Sequence, residues 1–249
     1  MATDGEGRGG DSAPGRGDDR GPMVLTRAGV LAGARQLAPL AFTTVIAFGL
    51  AFGLAARQAG LSLVETGLWS ALAFAGASQF AVLGLWTMPV PLVPALLMTL
   101  AVNARHLLMG AVMRPWLARL PARKVYPMVA LMADANWAYT VREFRAGGRD
   151  AGHLLGGGLI LWACWVPGTL AGHLLGAGLT DPARWGLDAV MPAFFAVVLV
   201  GMWRGRADAL PWAAAAGAAL VAGWWLPAQW HVLVGGIVGG LVGALRHGD

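Results

Sequence analysis

The chain has 249 residues, of which 57% are hydrophobic and 12% charged, with a mean hydropathy of +0.61. A soluble domain of average composition carries roughly 25% charged residues, so this chain lacks the polar surface of an ordinary cytosolic enzyme and reads as an all-α polytopic membrane protein. Its single cysteine, Cys164, excludes an internal disulfide and any cysteine-built zinc or iron–sulfur site.

Residues 1–26 hold five acids and three arginines, are rich in glycine and contain few large apolar side chains. Such a composition cannot offset the entropy of ordering, so 1–26 reads as a disordered tail and 27–249 as a single transmembrane domain. The tail lacks the apolar core of a cleavable signal peptide. The remaining chain is basic, but no arginine cluster interleaved with aromatics is present. The excess is therefore a signal of membrane topology rather than a nucleic-acid footprint.

A membrane helix needs about 20 mostly apolar residues to cross a hydrocarbon core of about 30 Å. Eight stretches qualify in chain order: Leu37–Ala56, Leu63–Trp86, Val90–Met113, Val125–Val141, His153–Leu175, Asp188–Trp203, Leu210–Leu226 and His231–Leu245. The expected count is seven to eight, with broken or re-entrant helices among them. Between the third and fourth, Arg114–Lys124 (RPWLARLPARK) reads as an interfacial segment. Arg27 and Arg35 favour a cytoplasmic N-terminus. Eight simple crossings would then put Arg114, Arg119, Arg123 and Lys124 outside, whereas a re-entrant early span would bring them back inside.

Glycines recur every four residues at Gly49 and Gly53, at Gly168, Gly172 and Gly176, and at Gly235, Gly239 and Gly243. That spacing lines one helix face and permits close helix approach. Ala59-Gly60-Leu61-Ser62 is matched by Ala177-Gly178-Leu179-Thr180, and Leu83-Gly84-Leu85-Trp86 by Val200-Gly201-Met202-Trp203, at near-constant offsets of 118 and 117 residues. The pattern points to an internal repeat of two four-span halves, which in secondary transporters places the substrate site between the halves.

Polar groups at membrane depth are costly and mark functional pathways. Three clusters stand out. Gly76-Ala77-Ser78-Gln79-Phe80 suits an unwound helix whose freed backbone groups coordinate a solute; the plain structural reading is Ser78 bonding back to its own helix. Asn103-Ala104-Arg105-His106 supplies a permanently charged guanidinium that matches a carboxylate; the structural reading is an internal ion pair. Asp134-Ala135-Asn136 supplies a carboxylate that can pair with Arg105, hold an ammonium group or carry a proton. Candidate substrate-binding residues are therefore Gly76, Ser78, Gln79, Asn103, Arg105, Asp134 and Asn136, with His106 and Asp134 as proton-coupling candidates. Phe74, Phe80 and Trp137 are the candidate apolar wall. His173 reads as packing, and no metal or cofactor is expected from five dispersed histidines without a zinc-binding spacing.

In order and spacing, GASQF, NARH and ADAN resemble the motifs of the AzlC family of branched-chain amino acid permeases. The resemblance covers most of 27–249. It implies the large subunit of a two-component exporter of valine, leucine, isoleucine or similar neutral amino acids in the cytoplasmic membrane, with a small membrane partner of the AzlD type. The family pattern carries a second acid directly after the aspartate; Ala135 stands there in this chain, which weakens any acidic-pair proton mechanism. The residues agree independently, because an amino acid needs a cation for its carboxylate, an acceptor for its ammonium group and an apolar pocket. With no G-x-x-x-x-G-K-[ST] phosphate loop, the energy source must be external to this chain, and proton exchange through His106 or Asp134 is the expected coupling. Two other readings remain open at this point: a non-transporting scaffold subunit, and a rhomboid-like intramembrane serine protease built on Ser78 and His173.

Overall fold

A computed structural model describes residues 22–87, 89–178, 193, 196, 199–201, 203, 205–226 and 230–246. Every regular element among these residues is helical, as the composition predicts. The segment 22–26, assigned to the tail from composition, is anchored: Met23 is buried, and Val24 pairs with the backbone of Arg149 and Ala151.

Thr26 caps α1 (Arg27–Leu40), its hydroxyl accepting from the Gly29 N–H at 3.0 Å. The Asp150 carboxylate accepts in turn from the Thr26 hydroxyl and from the Thr26 and Gly152 backbone N–H groups. This fastens the start of α1 to the start of the long helix that follows Asp150. Pro39 has no N–H to donate, and just beyond it the helix widens into a π-helical turn, Ala41–Val45, before α2 (Ile46–Gln58). Together they run unbroken for 32 residues.

The next expected span is broken. α3 (Leu63–Ala73) starts with a reciprocal Ser62–Glu65 capping box and ends at Phe74, which takes the left-handed conformation with φ 36°. α4 (Gly76–Leu83) follows. At about 1.5 Å per residue, neither piece spans a bilayer. Trp86, just past α4, returns to within 5.5 Å of Trp69 on α3, and Leu83 packs with Ala55, Ala56 and Leu61 at the end of α2. α3 and α4 thus form a half-depth hairpin that enters and leaves by the same side.

α5 (Leu92–Asn103) and α6 (Arg105–Leu117) make one crossing with a hitch at Ala104. A second hairpin follows, α7 (Ala122–Ala130) and α8 (Asp134–Arg145), interrupted at 131–133. α8 runs parallel to α6: the Trp137 indole donates to the Met109 carbonyl at 3.1 Å, and the Trp116 and Phe144 rings lie 5.4 Å apart. This hairpin therefore opens on the side opposite the first, where α1 begins. α9 (Gly152–Ala177) is continuous. It lies parallel to α1 and α2 along a glycine seam, where Gly49 and Gly53 meet Thr169 and where Gly168 and Gly172 meet Ile46 and Leu50. α10 (Ala209–Trp225) and α11 (Trp230–Arg246) pair through Gly235 and Gly239, which face Ala215.

Three helices among the described residues, Arg27–Gln58, Leu92–Leu117 and Gly152–Ala177, are long and apolar enough to cross a membrane. The stretches Leu63–Trp86 and Val125–Val141, read from hydropathy as crossings, are broken into hairpins of the re-entrant kind expected, and the described residues do not confirm the count of seven to eight spans. Hydropathy averages over a stretch and does not register a chain reversal inside it. Most of the sixth stretch, and Leu179, Thr180 and Met202 of the repeat, lie outside the described residues. The first hairpin also settles where the basic loops sit. Arg27, Arg114, Arg119, Arg123, Lys124, Arg142, Arg145 and Arg149 all fall on one side of the fold, and Arg57 on the other.

Candidate functional site

The two hairpin tips, the hitch in the α5–α6 crossing and the π-helical turn converge on one cavity of about 420 Å³, inside the roughly 300–1,000 Å³ range of small-molecule sites. Leu40, Thr44, Val45 and Phe48 contribute one wall, Phe74, Gly76 and Ala77 the first tip, and Ala133, Asp134 and Ala135 the second. Leu161 and Trp165 of α9 close the back. Gly76 is required at its place, since a Cβ there would sit 2.8 Å from the Trp165 ring.

Arg105 opens α6 and Asp134 opens α8, so one contact joins two interruptions. Arg105 Nη1 donates to Asp134 Oδ2 at 2.6 Å. A carboxylate at a helix N-terminus is favoured by the helix dipole, whereas a cation there is not; Asp134 compensates Arg105 for its position. The side chains remain 41% and 61% exposed, so each charge keeps an open face toward the cavity. Asp134, inside the predicted span Val125–Val141, is the first residue of a helix whose preceding turn is unwound.

His106 bridges the same two interruptions. One ring nitrogen is 3.2 Å from the Asn103 carbonyl, the other 3.2 Å from the Met132 carbonyl. Carbonyls only accept, so a neutral ring can satisfy one of the two contacts and a protonated ring both.

Ser78 ties the first tip to the end of α5: its hydroxyl donates to the Ala75 carbonyl at 3.0 Å and accepts from the Asn103 amide at 3.2 Å. Neither partner is a histidine, and His173 bonds instead to the Leu61 carbonyl. The Ser–His dyad of the protease reading is therefore not formed. Gln79 is 1% exposed, and both its amide atoms, like Asn103 Oδ1 and Trp165 Nε1, are buried without a hydrogen-bond partner. Unused polar capacity of this kind in an apolar core is expensive.

Of the predicted residues, Gly76, Arg105 and Asp134 line the cavity. Ser78, Gln79, Asn103 and His106 stand behind that lining. Asn136 is fully buried; it accepts from the Ala133 N–H and donates to the Leu131 and Leu154 carbonyls. Those bonds hold the second tip and use both of its amide hydrogens. Phe74 lines the cavity as expected. Phe80 instead packs edge-on against Phe52, and Trp137 is held by Met109. Sequence reasoning missed Thr44, Phe48 and Trp165, which sit in uniformly apolar helices and carry no motif; the Thr43-Thr44 pair, close after Pro39, was the available signal for the π-helical turn.

A family model described as AzlC protein matches residues 39–179, more than half of the chain and all of this cavity. The chain belongs to the AzlC family. Family membership and the three long apolar helices support a membrane location. One curated relative, an uncharacterized membrane protein of Archaeoglobus fulgidus, is 32% identical over 131 residues, covering 53% of this chain and 52% of that protein. The chain thus spans about half the length of the curated relative it matches. No solved structure matches this AzlC family chain.

Proposed function

We propose that this chain is the large subunit of a two-component secondary transporter. In this reading it exports branched-chain or similar neutral amino acids across the cytoplasmic membrane in exchange for protons, together with a small membrane subunit of the AzlD type. The observation that carries the reading is the Arg105–Asp134 pair, held by two helix interruptions and left open to an apolar cavity.

A zwitterion is the ligand chemistry that such a pair accepts with least electrostatic penalty. The substrate carboxylate takes the place of Asp134 on the guanidinium, the substrate ammonium takes the place of Arg105 on the carboxylate, and no charge is left unpaired in a poorly hydrated site. Leu40, Val45, Phe48, Phe74 and Leu161 then meet the side chain. Discontinuous helices at such a site are the usual means by which transporters present backbone groups to a solute.

Coupling rests on Asp134 and His106. A proton on Asp134 removes the partner of Arg105, and a proton on His106 adds a bond between the two interruptions. Both events change the same joint. The basic side of the fold faces the cytoplasm by the positive-inside rule, which places the opening of the first hairpin on the outer side.

The test is efflux of valine, leucine and isoleucine from preloaded cells that express the chain, the small subunit, or both. Faster loss of these amino acids with both than with neither is expected. Equal efflux in all four strains, with both proteins present in the membrane, refutes the reading.

A further inference from the structure

A second polar chain lies between the cavity and the outer side, among residues that the candidate site does not use. His173 of α9 is 1% exposed, and its Nε2 is 2.8 Å from the Leu61 carbonyl in the turn between α2 and α3. A carbonyl can only accept, so the neutral ring carries its proton on Nε2. Nδ1 is then a bare acceptor, buried and without a partner. One turn earlier on α9, fully buried Thr169 accepts at 2.9 Å from the hydroxyl of fully buried Ser70 on α3. α3 and α9 run antiparallel, so Thr66, one turn before Ser70, falls at the level of His173, one turn after Thr169. The Thr66 hydroxyl is also buried without a partner. One further turn inward on each helix lie Phe74 and Trp165, both of which line the cavity.

Packing alone does not account for this arrangement. Two unpaired polar atoms in an apolar helix interface cost free energy that alanine or leucine at the same positions would not. An ionisable side chain at such depth ordinarily marks a pathway, and imidazole is the side chain that exchanges protons near neutral pH. The charged groups on the elements packed against His173 are Arg57 of α2 and Glu65 of α3. Both are exposed, and Glu65 is held by Ser62. Neither bonds to the ring.

We infer that His173, with the hydroxyls of Thr66, Ser70 and Thr169, is the proton inlet of the transporter, linking the turn at Leu61 to the cavity. A proton taken up at Nδ1 gives the imidazolium; its loss from Nδ1 restores the starting tautomer, whereas loss from Nε2 leaves the proton on Nδ1, and the ring then exchanges tautomers before the next cycle. The inference rests on the proton-exchange reading above and adds the route.

The experiment uses proteoliposomes holding the full chain with its small subunit. Two fluxes are read: counterflow of leucine at equal pH, which needs only binding and alternation, and leucine accumulation driven by an imposed pH gradient. In His173→Gln, counterflow is expected to persist, gradient-driven accumulation to be lost, and the dependence of flux on pH between about 5 and 8 to flatten. Thr169→Val and Ser70→Ala, milder changes at the same chain, should slow the driven flux while leaving counterflow alone; they carry the test if His173→Gln does not fold. Driven accumulation equal to wild type in folded variants overturns the inlet and leaves the transporter reading intact. Absence of both fluxes in the wild-type protein overturns the transporter reading itself, and the inlet with it.

Discussion

Substitution of Gly156 by alanine tests the seam that holds the cavity wall together. A Cβ at Gly156 would collide with the Val30 carbonyl oxygen and lie 2.8 Å from the Val30 Cα. Ordinary carbon–carbon contact is about 3.5–4.0 Å, so α1 and α9 must part by about 1 Å or the helices must bend. Overpacking of this kind costs about 1–3 kcal/mol. Alanine also recovers about 0.5–1 kcal/mol of helix propensity relative to glycine. The expected net loss is about 0–2.5 kcal/mol by those two terms, seen as a lower midpoint than the control's in thermal unfolding of the detergent-solubilised protein followed by size-exclusion recovery. Gly110→Ala is the control, because a Cβ there meets nothing within 4 Å; it should match or exceed wild type. If Gly156→Ala is as stable as Gly110→Ala, the parallel α1–α9 packing described here is wrong.

Three further outcomes follow from named contacts. Asn136→Ala removes the bonds that hold the second tip and should cost about 1–3 kcal/mol through unsatisfied buried groups, read as reduced thermal stability; a stable Asn136→Ala with a changed substrate affinity would place Asn136 in the binding site. Asp150 is pushed up by burial, yet hydrogen bonds from the Thr26 hydroxyl and from the Gly152 and Thr26 backbone, with His153 nearby, hold its carboxyl below the ordinary value of 3.8. Its stabilisation is therefore complete above about pH 5 and lost as pH falls below about 4, so Asp150→Asn should lower the unfolding midpoint at pH 7 and the gap to wild type should narrow in acid. Cys164 is buried in the α9 interface and should resist maleimide labelling until the protein is unfolded; rapid labelling of the folded protein would contradict that packing.

Much of the site was legible because charge is scarce in this chain. Arg105 and Asp134 stood out as ionisable residues far from any stretch end, and the structure pairs them. The glycine stripes were legible for the same reason: four-residue spacing makes a face whatever it meets. The hairpins were not, since Phe74-Ala75-Gly76 and Leu131-Met132-Ala133 are as apolar as the helices they interrupt, and the reversals show in contacts such as Trp86 with Trp69 and Trp137 with Met109. Asn136 could not be assigned from sequence, because a polar side chain in an apolar stretch looks the same whether it binds a solute or ties down the backbone, as it does here at Leu131, Ala133 and Leu154. His173 reads from sequence as packing because a glycine stripe flanks it, and nothing in the sequence links it to Thr66 and Ser70, which lie far away in the chain on α3.

The central claim is that Arg105 and Asp134 receive the two charges of a zwitterion. Leucine counterflow in proteoliposomes measures it most directly, with Arg105→Ala, Asp134→Ala and the double variant beside wild type. Loss of flux in both single variants, with each protein folded and inserted, is the predicted result. Near-normal counterflow by Arg105→Ala would contradict the account.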